Sequence, residues 1–320
     1  MNARPKHPVE GDVLAALERR LGRVHARQRL GIEQDHEARV FGDGLNFFHP
    51  ENWYAAHTLT SAALKASGLY WRGHKNARDV QLKRNVVVSP GLPLAFDRFT
   101  ILHLSDLHTD TSKRAMDRVI ELLPGLKYDI CVWTGDYRGR TAGPYGETLR
   151  GLERIRRLIA GEVFGVLGNH DSILMVPGLE AMGVKMLLNE ATRIVRDGQH
   201  INLAGVDDAH YFRVDNIEKA AEHIVPDEYS ILLSHTPEIY RQAAHAGFKL
   251  MLCGHTHGGQ ICLPGSVPFM LDADLPRRFG SGAWSYRNMI GYTSVGAGTS
   301  IVPVRFNCAP EITLHELRGS

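Results

Sequence analysis

Phe99-Thr100-Ile101-Leu102-His103-Leu104-Ser105-Asp106-Leu107-His108 is a mostly apolar run of strand length that breaks off into a short polar burst. Apolar residues on consecutive positions mark a strand covered on both faces, whereas strict alternation marks a sheet with one wet face. The same texture recurs along the chain. Tyr128–Trp133 runs into Gly135-Asp136, Glu162–Leu167 into Gly168-Asn169-His170-Asp171, Tyr229–Leu233 into Ser234-His235, and Leu250–Cys253 into Gly254-His255-Thr256-His257-Gly258-Gly259-Gln260. Further strand-like runs fall at 183–188, 193–195, 201–206, 289–294 and 311–317, with helical stretches at 113–123, 146–160, 216–224 and 237–246. Covered strands alternating with helices predict a layered α/β (α+β) protein.

The first 84 residues read differently. Asp12 is placed to cap a helix, and Val13, Leu17, Leu21 and Val24 recur at helical spacing, which predicts an amphipathic helix over 12–30. Arg19, Arg20, Arg23 and Arg27 fall on its other faces. Residues 31–46 read as loop. A second, unusually apolar helix is expected from near Pro50 to near Gly68, preceded by Phe47-Phe48. The chain thus divides into an N-terminal helical extension, 1–84, and a domain over 85–320.

Composition excludes several classes. The 320 residues carry a net charge of only +2, with a basic excess confined to the N-terminal third. A protein that grips long nucleic acid needs a basic stripe, and none lies over the β-rich region. The four cysteines show no paired spacing, which points to a reducing compartment without a disulfide framework. No apolar run approaches the roughly 20 residues that span a bilayer, and no early stretch has the form of a signal peptide. The expected location is cytoplasmic, with peripheral contact at the inner membrane left open.

In open α/β sheets, ligand sites lie beyond the carboxyl ends of strands. Five such ends, converging, would collect Asp106, His108, Asp136, Asn169, His235, His255 and His257, with His170 beside them. This is an oxygen and imidazole set without thiolate, suited to Mn, Fe, Zn or Ni. Seven donors are too many for one ion but suit two divalent metal ions about 3.5–4 Å apart that share a carboxylate. An isolated Asp-x-His or Gly-Asp is weak evidence, since most such pairs are surface residues. Two imidazoles crowded at one strand end, as in His255-Thr256-His257, need a metal or a catalytic reason. Five blocks together, each at a strand end, leave coincidence little room.

In this order, the blocks resemble the calcineurin-like metallophosphoesterases, over residues 85–318 and without substitution. The resemblance implies a four-layer αββα sandwich of two mixed β-sheets flanked by helices. It implies that Asp106, His108 and His257 bind one metal, with Mn the leading candidate, that Asn169, His235 and His255 bind a second, and that Asp136 bridges them. His170 matches a non-ligand histidine that assists the leaving oxygen, with Asp171 orienting its imidazole through a hydrogen bond. The implied reaction is phosphoester hydrolysis, phosphodiesterase or pyrophosphatase, by a metal-bridging hydroxide.

Residues 252–264 and 303–313 look like a bacterial phosphodiesterase subgroup that includes enzymes acting on UDP-2,3-diacylglucosamine in lipid A biosynthesis. Many members carry a membrane or export segment where this chain has its extension. A lipid-linked substrate would give residues 12–70 a membrane surface to lie on, with Asn46, Phe47 and Phe48 at a substrate groove. Arg277 and Arg278, in the Gly/Pro-punctuated segment 264–288, could hold a headgroup. The alternatives are a phosphodiesterase acting on nucleotides or nucleic acid and a non-catalytic interaction module. The latter predicts lost ligands or a replaced His170, and neither is seen. Of the other histidines, His103 reads as a hydrogen-bonded core residue and His210 as a candidate pocket residue. Gly296-Ala297-Gly298 is a lone glycine pair without the pattern of a nucleotide fingerprint.

Overall fold

The computed structural model describes residues 11–40, 61–300 and 302–320, the side chains of 36–40 excepted. Two six-stranded mixed sheets form its centre. The first has the order β1 (Gln81–Ser89), β14 (Glu311–Gly319), β2 (Thr100–Leu104), β3 (Ile130–Trp133), β4 (Val163–Gly165) and β5 (Val184–Met186). Within it β2 to β5 run parallel and β14 runs antiparallel to β2. The second has the order β12 (Gly282–Tyr286), β13 (Met289–Thr293), β9 (Leu250–Cys253), β8 (Ser230–Leu233), β7 (Gln199–Gly205) and β6 (Glu190–Arg196). Here β13, β9, β8 and β7 are parallel, and the two outer strands are antiparallel. A short hairpin joins β10 (Cys262–Leu263) to β11 (Val267–Pro268).

The consecutive apolar residues are explained by this stacking, because each central strand serves two cores. Ile101 of β2, Ile130 and Val132 of β3, Ile231 and Leu233 of β8, and Leu250 and Leu252 of β9 meet between the sheets. Their neighbours Leu102, Leu104, Cys131 and Trp133 face the other way. There they pack with α4 (Lys113–Leu122), α5 (Gly146–Arg156) and α6 (Val176–Ala181). Leu232, Met251 and Cys253 do the same beneath α7 (Ile217–Ala221) and α8 (Tyr240–His245). The expected layering of helix, sheet, sheet and helix is what the chain forms.

The N-terminal region departs from its expected outline. In place of one helix over 12–30 there are two, α1 (Gly11–Leu21) and α2 (Arg23–Val40), parted at Gly22 with φ of 91°. α2 also occupies residues 31–40, which were expected to be loop. In that stretch Ile32 packs against Tyr211, Phe212 and Val214, and Glu33 accepts from Ser172 and Ile173. Residues 61–66 are helical, and α3 (Leu69–Asn76) follows Gly68. The rest of the second expected helix lies outside the described residues, as do Asn46, Phe47 and Phe48.

Further elements were not anticipated, among them β1, α6 and β12. β1 begins in the polar run Gln81-Leu82-Lys83-Arg84, and as an edge strand it leaves Val86 and Val88 exposed. Short α6 and β12 carry too few residues to show a period of their own.

No helix among the described residues is long and apolar enough to cross a membrane. The apolar stripe of α1 is used internally. Leu17 and Leu21, joined by Ala26 and Leu30 of α2, belong to the core on the outer face of the first sheet. At the rim Arg20 binds Glu180, Glu190 and the carbonyl of Met186. Truncating Leu17 should therefore act as a core mutation. Leu17→Ala is expected to lower the unfolding free energy by about 2–5 kcal/mol, measured by denaturant titration. An unchanged midpoint would mean that the helices are not part of the folding unit.

Candidate metal centre

Beyond the ends of β2, β3 and β4, and of β8 and β9, the connecting loops are hydrogen-bonded to one another. Asp106 N donates to Gly135 O, His108 N to Asp136 O, and Gly254 N to His235 O. The chain must turn sharply at each end to aim a side chain into the space between them. Asp106 (φ 49°), His108 (40°), Asp136 (53°), His255 (72°) and His257 (48°) all adopt the left-handed region. Such a conformation costs a non-glycine residue on the order of 1–3 kcal/mol and persists only where the surroundings over-determine it.

The seven candidate ligands are brought together as two neighbouring groups, every member buried. In the first, comprising Asp106, His108 and His257, the His108 and His257 Nε2 atoms are 3.2 Å apart and Asp106 Oδ1 is 3.5 Å from His257 Nε2. In the second, comprising Asp136, His235 and His255, Asp136 Oδ2 lies 3.3 Å from His235 Nε2. Asn169 joins this group, its Oδ1 2.9 Å from the same nitrogen. Asp136 Oδ2 is also 3.8 Å from His108 Nε2, so one carboxylate faces both groups.

The donor chemistry fits divalent cations. His255 Nε2 is buried without a hydrogen-bond partner, a position that costs free energy unless something fills it. His108 Nδ1 donates to Arg138 O and His235 Nδ1 to Thr134 O, each at 2.7 Å. Such bonds fix the tautomer that leaves Nε2 with its lone pair for a metal. Burial also sets the charge of these groups. It pulls His108 down to about 4 and His255 and His257 well below the usual imidazole range. For His235 burial is outweighed by Asp136 and Asp106, which push it up to about 10.

Close approach explains the glycines. A Cβ on Gly254 would lie 1.9 Å from Ser105 Oγ and 2.3 Å from Asp106 Oδ2, and one on Gly168 would lie 2.2 Å from Asp136 Oδ1. Gly296 likewise lets its loop pass against Asp106, where a Cβ would stand 2.5 Å from the aspartate Cβ. Gly298 N donates to Asp106 O, so the pair that looked incidental in the sequence shapes the site.

Several contributors carry no sequence signal. Arg305 is fully buried and donates to the carbonyls of Val295, Gly296 and Gly298, with Nη2 3.2 Å from His257 Nδ1. Arg138 donates to the carbonyls of His170, Thr141 and Gly143. His103 is the core histidine expected, but it is also a link in a buried chain. Asn85 Nδ2 can only donate, so its 3.0 Å bond makes His315 Nδ1 an acceptor. His315 Nε2 then donates to His103 Nδ1, His103 Nε2 to Thr134 Oγ1, Thr134 to Ser105 Oγ, and Ser105 to Asp106 Oδ2. Each donor in this chain points toward the carboxylate.

His170 sits at the rim with Nε2 3.9 Å from Asp136 Oδ2 and its ring perpendicular to that of His108. The expected hydrogen bond from Asp171 to this imidazole is not formed. His170 Nδ1 faces Thr141 Oγ1 at 3.2 Å, whereas Asp171 accepts from the backbone N–H groups of Tyr137, Arg138 and Gly168. Three convergent backbone donors hold that carboxylate as a clamp between two loops. His210 does reach the site edge, its ring 4.1 Å from that of His255 and its Nδ1 2.7 Å from Glu238. Arg277 and Arg278 are exposed, the latter lying over the Phe279 ring.

Comparison with known proteins gives a consistent result. Residues 99–259 match the family model described as calcineurin-like phosphoesterase. The chain is 28% identical over 270 residues to the uncharacterized metallophosphoesterase YkoQ of Bacillus subtilis, covering 81% of this chain and 98% of that protein. It is 28% identical to the uncharacterized metallophosphoesterase YkuE of the same organism, over 82% and 94% of the two chains. The phosphodiesterase YaeI of Escherichia coli is 30% identical over 68% of this chain and 82% of its own length.

Two outcomes follow for metal binding. A cation must displace the proton that Asp136 and Asp106 favour on His235, so uptake by stripped protein should release protons and strengthen as pH rises toward about 10. Calorimetric titration in buffers of different ionisation enthalpy reads this, and pH-independent affinity would show that His235 carries no proton in the metal-free site. Gly254→Ala should reduce metal content by about tenfold or more, because its methyl displaces Ser105 and Asp106; full occupancy by elemental analysis would contradict the close approach.

Proposed function

Because the chain belongs to the calcineurin-like phosphoesterase family, whose members are metal-dependent phosphoester hydrolases, we propose that it cleaves phosphodiesters with two divalent cations. Asp106, His108 and His257 would hold one, Asn169, His235 and His255 the other, and Asp136 both. The observation that carries this reading is that Asp136, a member of one buried three-residue group, also turns its Oδ2 toward His108 of the other. The cations, when bound, supply charge to a phosphoryl group and lower the pKa of water.

The chain's own residues do the rest. The carboxylates of Asp106 and Asp136 balance the cationic charge, and the surrounding backbone and side-chain hydrogen bonds keep the donors aimed before substrate arrives. His170 is not among the candidate ligands. With Nδ1 turned to Thr141, its Nε2 faces the site and can give a proton to the departing alkoxide.

The phosphodiesterase YaeI, which is among the relatives, favours a diester over a monoester. The division into an extension, 1–84, and a phosphoesterase domain, 85–320, belongs to the same proposal. A lipid-linked nucleotide sugar such as UDP-2,3-diacylglucosamine is a second reading. Leu263, Val267, Phe269 and Met270 support it, as exposed apolar side chains on the hairpin that follows the His257 turn.

Metal-reconstituted protein should hydrolyse bis-p-nitrophenyl phosphate faster than p-nitrophenyl phosphate, and a chelator should abolish both; turnover of neither would defeat the proposal. UDP-2,3-diacylglucosamine left intact by an active enzyme would remove the lipid reading. His170→Ala should lower kcat by about 10²–10⁴ on diesters with alkyl leaving groups. The loss should be smaller with p-nitrophenolate, which departs without a proton. Equal losses on the two would exclude the acid role.

A further inference from the structure

The residues after His170 are held from outside the β domain. His170 N donates to Asp136 Oδ1 and its carbonyl accepts from Arg138. The next carbonyl, that of Asp171, accepts from Arg29 Nη2 of α2 at 2.9 Å. One helical turn on, Glu33 accepts at 2.7 Å from both Ser172 Oγ and Ile173 N. Arg29 is fully buried. Its Nε lies 3.4 Å from Asp207 and 3.5 Å from Glu33, and its guanidinium stacks 3.4 Å over the Phe212 ring. His25, one turn earlier on α2, adds a 2.8 Å contact to Asp207.

From this geometry we infer that α2 is part of the catalytic apparatus, with Arg29 and Glu33 acting as positioning residues for the His170 loop. The inference rests on the hydrolase reading above. A buried guanidinium and a largely buried carboxylate are costly to desolvate and serve poorly as bulk stabilisation. Here they satisfy consecutive polar groups of a loop that has no ladder of its own. Residues 170–173 are thus held by two sets of groups, Asp136 and Arg138 at His170 and α2 at 171–173.

The test uses the full-length metal-loaded protein. Glu33→Ala leaves Arg29 its contact with Asp207 and should lower kcat about 10- to 100-fold on an alkyl diester. KM and metal content should be unchanged, and p-nitrophenyl leaving groups should be affected less. Glu33→Gln, which still accepts from Ile173 N, should recover most of the loss. Hydrogen exchange at the 171–173 amides should rise in Glu33→Ala independently of any turnover. Arg29→Met provides a second cut and should show the same leaving-group dependence.

Equal losses on both leaving groups, or unchanged kcat and unchanged exchange in Glu33→Ala, would overturn the positioning role. Absence of turnover in the unmutated protein would instead strike the hydrolase reading, and the exchange measurement would still decide whether α2 holds the loop.

Discussion

One oxygen organises the molecule. Asp136 Oδ2 lies within 3.9 Å of the Nε2 atoms of His108, His170 and His235, in a region closed to solvent. A buried carboxylate is tolerable only where cations or strong donors surround it. Meeting that demand requires two sheets, since His108 and His170 follow strands of the first and His235 a strand of the second. The face-to-face stacking that buries Ile101, Val132, Ile231 and Leu252 therefore also sets the distance between the two groups of candidate ligands. Packing and chemistry share the same strands.

The second consequence is strain. Five of the candidate ligands sit at positive φ, against their intrinsic preference, and the surrounding atoms enforce it. Glycines with no room for a methyl allow Ser105, Asp106 and Asp136 to be approached by neighbouring backbone. Arg305 secures the 295–298 loop by its carbonyls, and Asp171 ties the Gly168 turn to the Tyr137 turn. The polarised chain from Asn85 to Asp106 crosses the first sheet through His315 and His103. The glycines, Arg305, Asp171 and the chain from Asn85 to Ser105 are not themselves candidate ligands. Together they make the ligand geometry a property of the folded scaffold, as preorganisation requires.

The N-terminal helices change meaning in this setting. Read alone, Leu17 and Leu21 with arginines around them suit either a membrane surface or a protein core, because an apolar stripe records only that something apolar covers it. The fold places the stripe against the first sheet and turns α2 so that Arg29 and Glu33 reach the loop after His170. In the continuation of α2 beyond residue 30, one apolar contact, Ile32, and one hydrogen-bonded carboxylate, Glu33, make too short a pattern for periodicity to show.

The sequence by itself determined the layered architecture, the five strand ends and the identity of the seven candidate ligands. Those properties are local: a run of apolar residues reports burial on both faces, and a polar burst directly after it reports a site. Tertiary structure decided what depends on how separate segments of the chain are brought against one another. It alone paired Arg29 with Asp171, set Gly296 against Asp106, and drew Asp171 away from the neighbouring imidazole to three backbone donors. A carboxylate takes the convergent N–H groups that folding brings to it, and adjacency in the chain does not predict which those will be.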